Sequence, residues 1–149
     1  MSTESFSIEI PTDSDEYFRV CCPYCRNNFK ISAPEFRETD VINIFCPICG
    51  LVDELNSFFS DEVIKKALAI AQNYVEETIY QMFKNFERKT NGNSFFKFDA
   101  GKKPVASEPE LYELDDHLTI VHKKCCDSHF KVTELDKWLD PYCVYCGRK

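Results

Sequence analysis

Hydrophobic and polar positions follow two different periods along this chain. Phe6, Ile8 and Ile10 alternate with polar neighbours until Pro11, a pattern that fits either an edge strand or a solvated acidic tail. Residues 17–20, 29–32 and 41–45 are short apolar-rich runs that read as strands. The period then changes. Ser60-Asp61-Glu62 offers a hydroxyl N-cap followed by two acids at a helix start. Val63, Ala67, Ile70 or Ala71, Tyr74, Val75, Ile79, Met82, Phe83 and Phe86 recur at steps of three and four, which is one apolar helical face. Lys84, Arg88 and Lys89 precede Asn91-Gly92, a favourable charge placement and then a stop signal. A helix of roughly 30 residues would be about 45 Å long. Its apolar face is expected to be buried against the rest of the protein, with a homodimer through the central helix as the alternative. After it, Phe95, Phe96 and Phe98 open a turn-rich connector and are expected to anchor the chain back onto the helix.

The cysteines divide this pattern further. Five lie near the N-terminus (Cys21, Cys22, Cys25, Cys46, Cys49) and four near the C-terminus (Cys125, Cys126, Cys143, Cys146). Met1 to Tyr17 has no basic residue and no apolar run of signal-peptide length, and no window approaches the ~18 apolar residues of a membrane span. A cytoplasmic chain without a membrane segment is therefore expected, and paired cysteines there read as metal ligands rather than disulfides.

The first group is Cys22-Pro23-Tyr24-Cys25 followed by Cys46-Pro47-Ile48-Cys49-Gly50. Two such pairs on adjacent tight turns can place four sulfurs ~2.3 Å from a zinc ion. Cys21 is left over and reads as a buried thiol on the strand. In the second group, Cys143-Val144-Tyr145-Cys146-Gly147 repeats the form of Cys46 to Gly50, and His122-Lys123-Lys124-Cys125-Cys126-Asp127-Ser128-His129 offers two pairs with a two-residue gap. Spacing selects Cys126 and His129; His122 with Cys125 or Cys126 stays open. Phe29-Lys30-Ile31 resembles Phe130-Lys131-Val132, and aligning those triplets puts Cys21 on His122 and Cys25 on Cys126, which suggests a duplicated unit. His117, beside Asp116, reads as a surface side chain.

These motifs resemble the zinc-ribbon superfamily, including the transcription factor IIB-type ribbon, over roughly residues 17–55 and 118–149. The resemblance implies two knuckles on a small antiparallel sheet around each zinc, but no single activity. The expected fold class is α+β, with two small antiparallel zinc-ribbon units joined by a long amphipathic helix. The expected divisions are an acidic segment at 1–16, ribbon 1 at 17–59, helix and connector at 60–110, and ribbon 2 at 111–149. The expected cofactor is Zn2+, two per chain, held by Cys22, Cys25, Cys46 and Cys49 and by Cys126, His129, Cys143 and Cys146.

Charge bears on partners. The formal net charge is -7, and two thiolate-rich zinc sites would take it to about -10. That counts against a purely electrostatic hold on nucleic acid and points to another protein as partner, with a nucleic-acid-associated ribbon as the alternative. Sites with four protein ligands leave no open position for catalysis, and the four scattered glycines make no phosphate loop. No enzymatic role is expected.

Overall fold

A computed structural model describes residues 5–92, 95–113 and 117–149. The elements run β1 (Tyr17–Cys21), β2 (Asn28–Ser32), α1 (Ala33–Glu38), β3 (Asn43–Phe45), β4 (Val52–Glu54), a 3-10 turn (Leu55–Phe58), α2 (Asp61–Thr90), β5 (Thr119–Lys123), β6 (Ser128–Val132) and α3 (Glu134–Trp138). The fold is α+β, with antiparallel sheets and a long helix between two cysteine-rich strand regions in the chain. No described helix is long and apolar enough to cross a membrane. Residues 6–10 form no strand; Phe6 instead packs edge-on against Tyr74, 5.1 Å between centroids.

The chain divides into two compact units, Met1–Ile8 with Ile64–Glu110, and Glu9–Val63 with Leu111–Lys149. Segments 17–59 and 111–149, expected as separate ribbons, thus share one unit. The reason is strand pairing. β1 and β2 form one hairpin, β5 and β6 another, and β2 pairs antiparallel with β6, giving a four-stranded sheet in the order β1-β2-β6-β5. Joining two hairpins edge to edge removes two of their four exposed edges.

Period-two alternation then sorts the side chains onto two faces. Phe18, Val20, Phe29, Ile31, Val121, Phe130 and Val132 are buried with Ile44, Phe58 and Val144 in the core, and Phe29 meets Phe58 edge-on at 5.9 Å. On the other face lie Lys30 and Lys131, cross-strand partners that are both buried. Two buried like charges need counter-charges nearby. Asp13 supplies one between them, 3.3 Å from Lys30 Nζ and 2.7 Å from Lys131 Nζ, while Asp15 pairs with Lys131 at 2.8 Å and Glu113 with Lys30. Burial pushes the Asp13 carboxyl up, but hydrogen bonds from Lys131, the Tyr17 and Asp15 amides and Lys30 outweigh it and hold the group at about 2.

The hairpins repeat each other at a constant offset. Val20 pairs with Phe29 as Val121 pairs with Phe130. Ser32 caps α1 as Thr133 caps α3, and the left-handed residues Glu16 and Arg26 recur as His117 and Asp127. Because Lys30 faces Lys131, its own counterpart, an approximate two-fold axis passes between them. The turns at Cys46 and Cys143 obey the same symmetry, since the Phe45 amide donates to the Val144 carbonyl at 2.8 Å and the Tyr142 amide to the Pro47 carbonyl at 2.9 Å.

α2 begins at Ser60, whose Oγ accepts from the Val63 amide at 3.4 Å, and from Ile64 onward it belongs to the other unit. The connector returns along it. Phe98 packs on Phe83 and Phe86, and Phe96 on Phe86, with centroids 5.1 to 6.3 Å apart, whereas Phe95 is exposed.

Candidate metal centres

Three knuckles share one backbone pattern. In each, the amide four residues after the first cysteine donates back to that cysteine's carbonyl: Arg26 to Cys22 at 3.0 Å, Gly50 to Cys46 and Gly147 to Cys143 at 2.9 Å. The first cysteine's amide in turn donates to Asn27, Leu51 or Arg148. Closing this ring requires positive φ at the fourth residue, 63° at Arg26, 75° at Gly50 and 73° at Gly147. At the two glycines there is a second demand. A Cβ on Gly50 would lie 3.1 Å from the Tyr142 ring and one on Gly147 2.6 Å from the Phe45 ring, so each aromatic seats on the other repeat's knuckle because no side chain stands there.

The first two knuckles bring Cys22, Cys25, Cys46 and Cys49 together, with ligand atoms all within 4.8 Å of one another. Sulfur separations of 3.7 Å for Cys22 and Cys49 and 3.6 Å for Cys25 and Cys46 match the ~3.8 Å edge of a tetrahedron with ~2.3 Å metal–sulfur bonds. Amides are aimed at the sulfurs as well: Tyr24 and Cys25 donate to Cys22 Sγ at 3.4 and 3.5 Å, and Ile48 to Cys46 Sγ at 3.4 Å. Such donors orient thiolates and spread their charge. Cys22 and Cys46 are buried, Cys25 and Cys49 half-buried.

The second group is Cys125, Cys126, Cys143 and Cys146. His129, selected by spacing, is not among them. Its ring Nδ1 meets Glu35 Oε1, and its amide donates to Glu35 Oε2 at 2.9 Å. His122, the alternative, is held by Asp127 at 2.7 Å and stacks on His129 with centroids 4.5 Å apart. The physical reason is strand parity. His122 and His129 face each other across the β5–β6 ladder, inside the strands, whereas the sulfurs sit on the turn beyond them. Offset from the first hairpin places Lys123 where Cys22 stands and Cys125 where Tyr24 stands, with Cys126 at the position of Cys25. The sulfur missing at Lys123 is thus supplied two residues later, and Lys123 pairs instead with Asp140 at 2.8 Å.

Cys125 and Cys146 sulfurs lie 3.4 Å apart, and Ser128 Oγ is 3.3 Å from Cys143 Sγ. Unlike the first group, this one has two exposed members, Cys125 and Cys126. Cys21 joins neither group; its thiol donates to the Cys22 and Arg26 carbonyls at 3.7 and 3.6 Å. His117 is exposed.

Each group carries one easily ionised thiol. Burial opposes ionisation of Cys25, but hydrogen bonds from the Asn27 backbone and side chain bring it to about 7. Burial likewise opposes Cys143, while the Ser128 hydroxyl and the Tyr145 and Cys146 amides bring it to about 7. Cys46 and Cys126 do not ionise so readily. Burial and the adjacent thiols push Cys46 up strongly and Cys126 up to about 12. Four sulfurs this close resist sharing several negative charges unless a cation sits among them. Donor type, spacing and electrostatics all fit a soft, tetrahedral metal ion. No protein-family model, curated protein or solved structure matches the chain.

Proposed function

We propose that this chain is a zinc-binding interaction protein in which two metal ions act as structural ties. The observation that carries the reading is the pair of four-cysteine groups, related by the two-fold arrangement of one unit. Four thiolates fill a tetrahedral shell and leave no position for a metal-bound water, which supports a structural rather than catalytic role. Each ion would tie a hairpin to a knuckle from a distant part of its own repeat, and the small core between them gains much of its stability that way.

Protein contacts, rather than a nucleic-acid backbone, are supported by what the basic groups do. Lys30 and Lys131 are buried among Asp13, Asp15 and Glu113; Lys123 pairs with Asp140, and Arg26 with Asp61 at 3.7 Å. Cations already matched by carboxylates release few counterions from a phosphate backbone.

Elemental analysis of the purified chain tests the metal: two zinc per chain are expected, and Cys46→Ser and Cys143→Ser should each retain one. Iron in place of zinc, or no bound metal, refutes the reading. Titration with single- and double-stranded nucleic acid at low salt tests the partner class, and binding that collapses as salt rises would replace the protein-interaction reading with a nucleic-acid one.

A further inference from the structure

Helix α2 is 30 residues long, yet Val63 is its single buried residue. Most of its exposed large apolar residues fall on one line, with Ile64, Tyr74 and Phe83 beside it. Leu68, Gln72, Val75, Ile79, Met82 and Phe86 follow one another at alternating steps of four and three, the a/d pattern of a heptad seam about 27 Å long. An a/d seam of this kind matches the groove of another helix. The five apolar members are between 45% and 65% exposed.

The chain's own connector takes the opposite face. The Asn73 side chain exchanges hydrogen bonds with the Ser107 backbone at 2.9 and 3.2 Å, and Lys103 reaches Glu77 at 3.4 Å. Aromatic contacts from the connector reach the seam at Phe86, which still leaves 46% of that residue exposed. The connector's polar contacts thus lie on the polar side of the helix, its aromatic ones reach Phe83 and the C-terminal end of the seam at Phe86, and Leu68, Val75, Ile79 and Met82 stay exposed.

We propose that α2 pairs with α2 of a second copy of this chain in a parallel, in-register coiled coil. From these exposures the seam offers roughly 600 Å² per copy, so that pairing buries at most about 1,200 Å², the lower edge of stable specific interfaces. Register follows from Gln72. In a parallel pair each Gln72 amide faces its counterpart and the two can hydrogen-bond, a device that fixes register at a cost in affinity. An antiparallel pair would set Gln72 against Met82, where the amide keeps only the Glu76 carboxylate of its own helix, 2.9 Å away, and gains no partner across the seam. The flanks agree with the parallel choice, since Glu76 would face Ala71 and Phe83 would face Thr78, with no like charges opposed. Lys65, the next position upstream, would face itself, which ends the seam at Leu68.

Sedimentation equilibrium of the intact, metal-loaded chain tests the proposal. At about 100 µM the mass should be twice 17.4 kDa. The double substitution Val75→Glu with Met82→Glu should weaken dimerisation at least 100-fold while metal content stays at the wild-type value, which shows that the cysteine unit still folds. Gln81→Ala, off the seam, should leave the mass unchanged. Gln72→Leu should tighten the dimer about tenfold. A monomer at every concentration, or a dimer indifferent to the double substitution, overturns the seam; weakening by Gln72→Leu overturns the in-register geometry.

Discussion

Gly50 and Gly147 occupy matching places in the two repeats, so exchanging each for alanine separates backbone strain from packing. Both have nearly the same φ, 75° and 73°, and an alanine held there costs about 1–2 kcal/mol in either case. What differs is the room for the methyl. At Gly50 the nearest atoms belong to the Tyr142 ring at 3.1 to 3.2 Å, a spacing that the ring can relieve by shifting a few tenths of an ångström. At Gly147 the Phe45 ring stands at 2.6 and 2.7 Å, closer than any carbon pair tolerates, so the ring or the knuckle must move at a further ~1–3 kcal/mol. Gly50→Ala is therefore expected to destabilise by about 1–2 kcal/mol and Gly147→Ala by about 2–5 kcal/mol. Thermal unfolding at fixed, saturating zinc reads the difference, at about 4 °C or more per kcal/mol for a unit of this size. Phe45→Leu combined with Gly147→Ala should recover most of the excess, a coupling that a double-mutant cycle isolates. Equal losses at the two glycines, or no coupling to Phe45, would refute the claim that each aromatic rests on the other repeat's knuckle.

Other expectations follow from the same structure. A chelator should strip the Cys125-Cys126 group before the Cys22 group, because two of its cysteines are exposed and direct attack needs access; single-site variants monitored by a zinc indicator give the order, and the reverse order contradicts the burial argument. Asp13→Asn should cost about 3–5 kcal/mol in urea unfolding by leaving Lys30 and Lys131 short of counter-charge. Because the folded-state value lies below the ordinary one, Asp13's contribution is complete above about pH 4 and lost as pH falls toward about 2, so the wild-type advantage should be the same at pH 7 and pH 5; a gap that shrinks over that interval assigns the effect to another group. Tyr145→Phe should be neutral or stabilising by up to about 1 kcal/mol, since its hydroxyl is buried without a hydrogen-bond partner among the described residues, and a clear loss on calorimetry would show that the oxygen is satisfied.

The elements that sequence displays best are those governed by local chemistry. α2 was legible from Ser60-Asp61-Glu62 to Asn91-Gly92 because caps, end charges and a sustained 3.6-residue period all concern neighbours in the chain. Cys22, Cys25, Cys46 and Cys49 were legible for a similar reason: a two-residue gap closed by a tight turn is a local constraint, and only the distance between the two turns is tertiary. The β2–β6 junction was not. Phe29-Lys30-Ile31 and Phe130-Lys131-Val132 announce a repeat, but nothing local states that two repeats meet at the lysines. The side chains there suggest the contrary, because facing lysines repel unless acids come from elsewhere, and Asp13, Asp15 and Glu113 do so from segments outside both strands.

The fourth cysteine of the second group shows how two valid rules can conflict. A two-residue gap between Cys126 and His129 is good ligand spacing when both residues share a turn, as Cys22 and Cys25 do. Here the turn ends at Asp127, whose positive φ matches that of Arg26, and Ser128 already pairs with Lys123 in the ladder. His129 is then one residue inside a strand, where period-two geometry sends its ring to the side that meets Glu35 and His122. Aligning the repeats carried the needed information, because it places Cys126 on Cys25 and leaves position 123 without a sulfur. What it lacked was the fact that Tyr24 already stands at the rim of the first cluster, its amide 3.4 Å from Cys22 Sγ. A cysteine at that position, which is Cys125, brings a fourth sulfur to the group without altering the length of the turn.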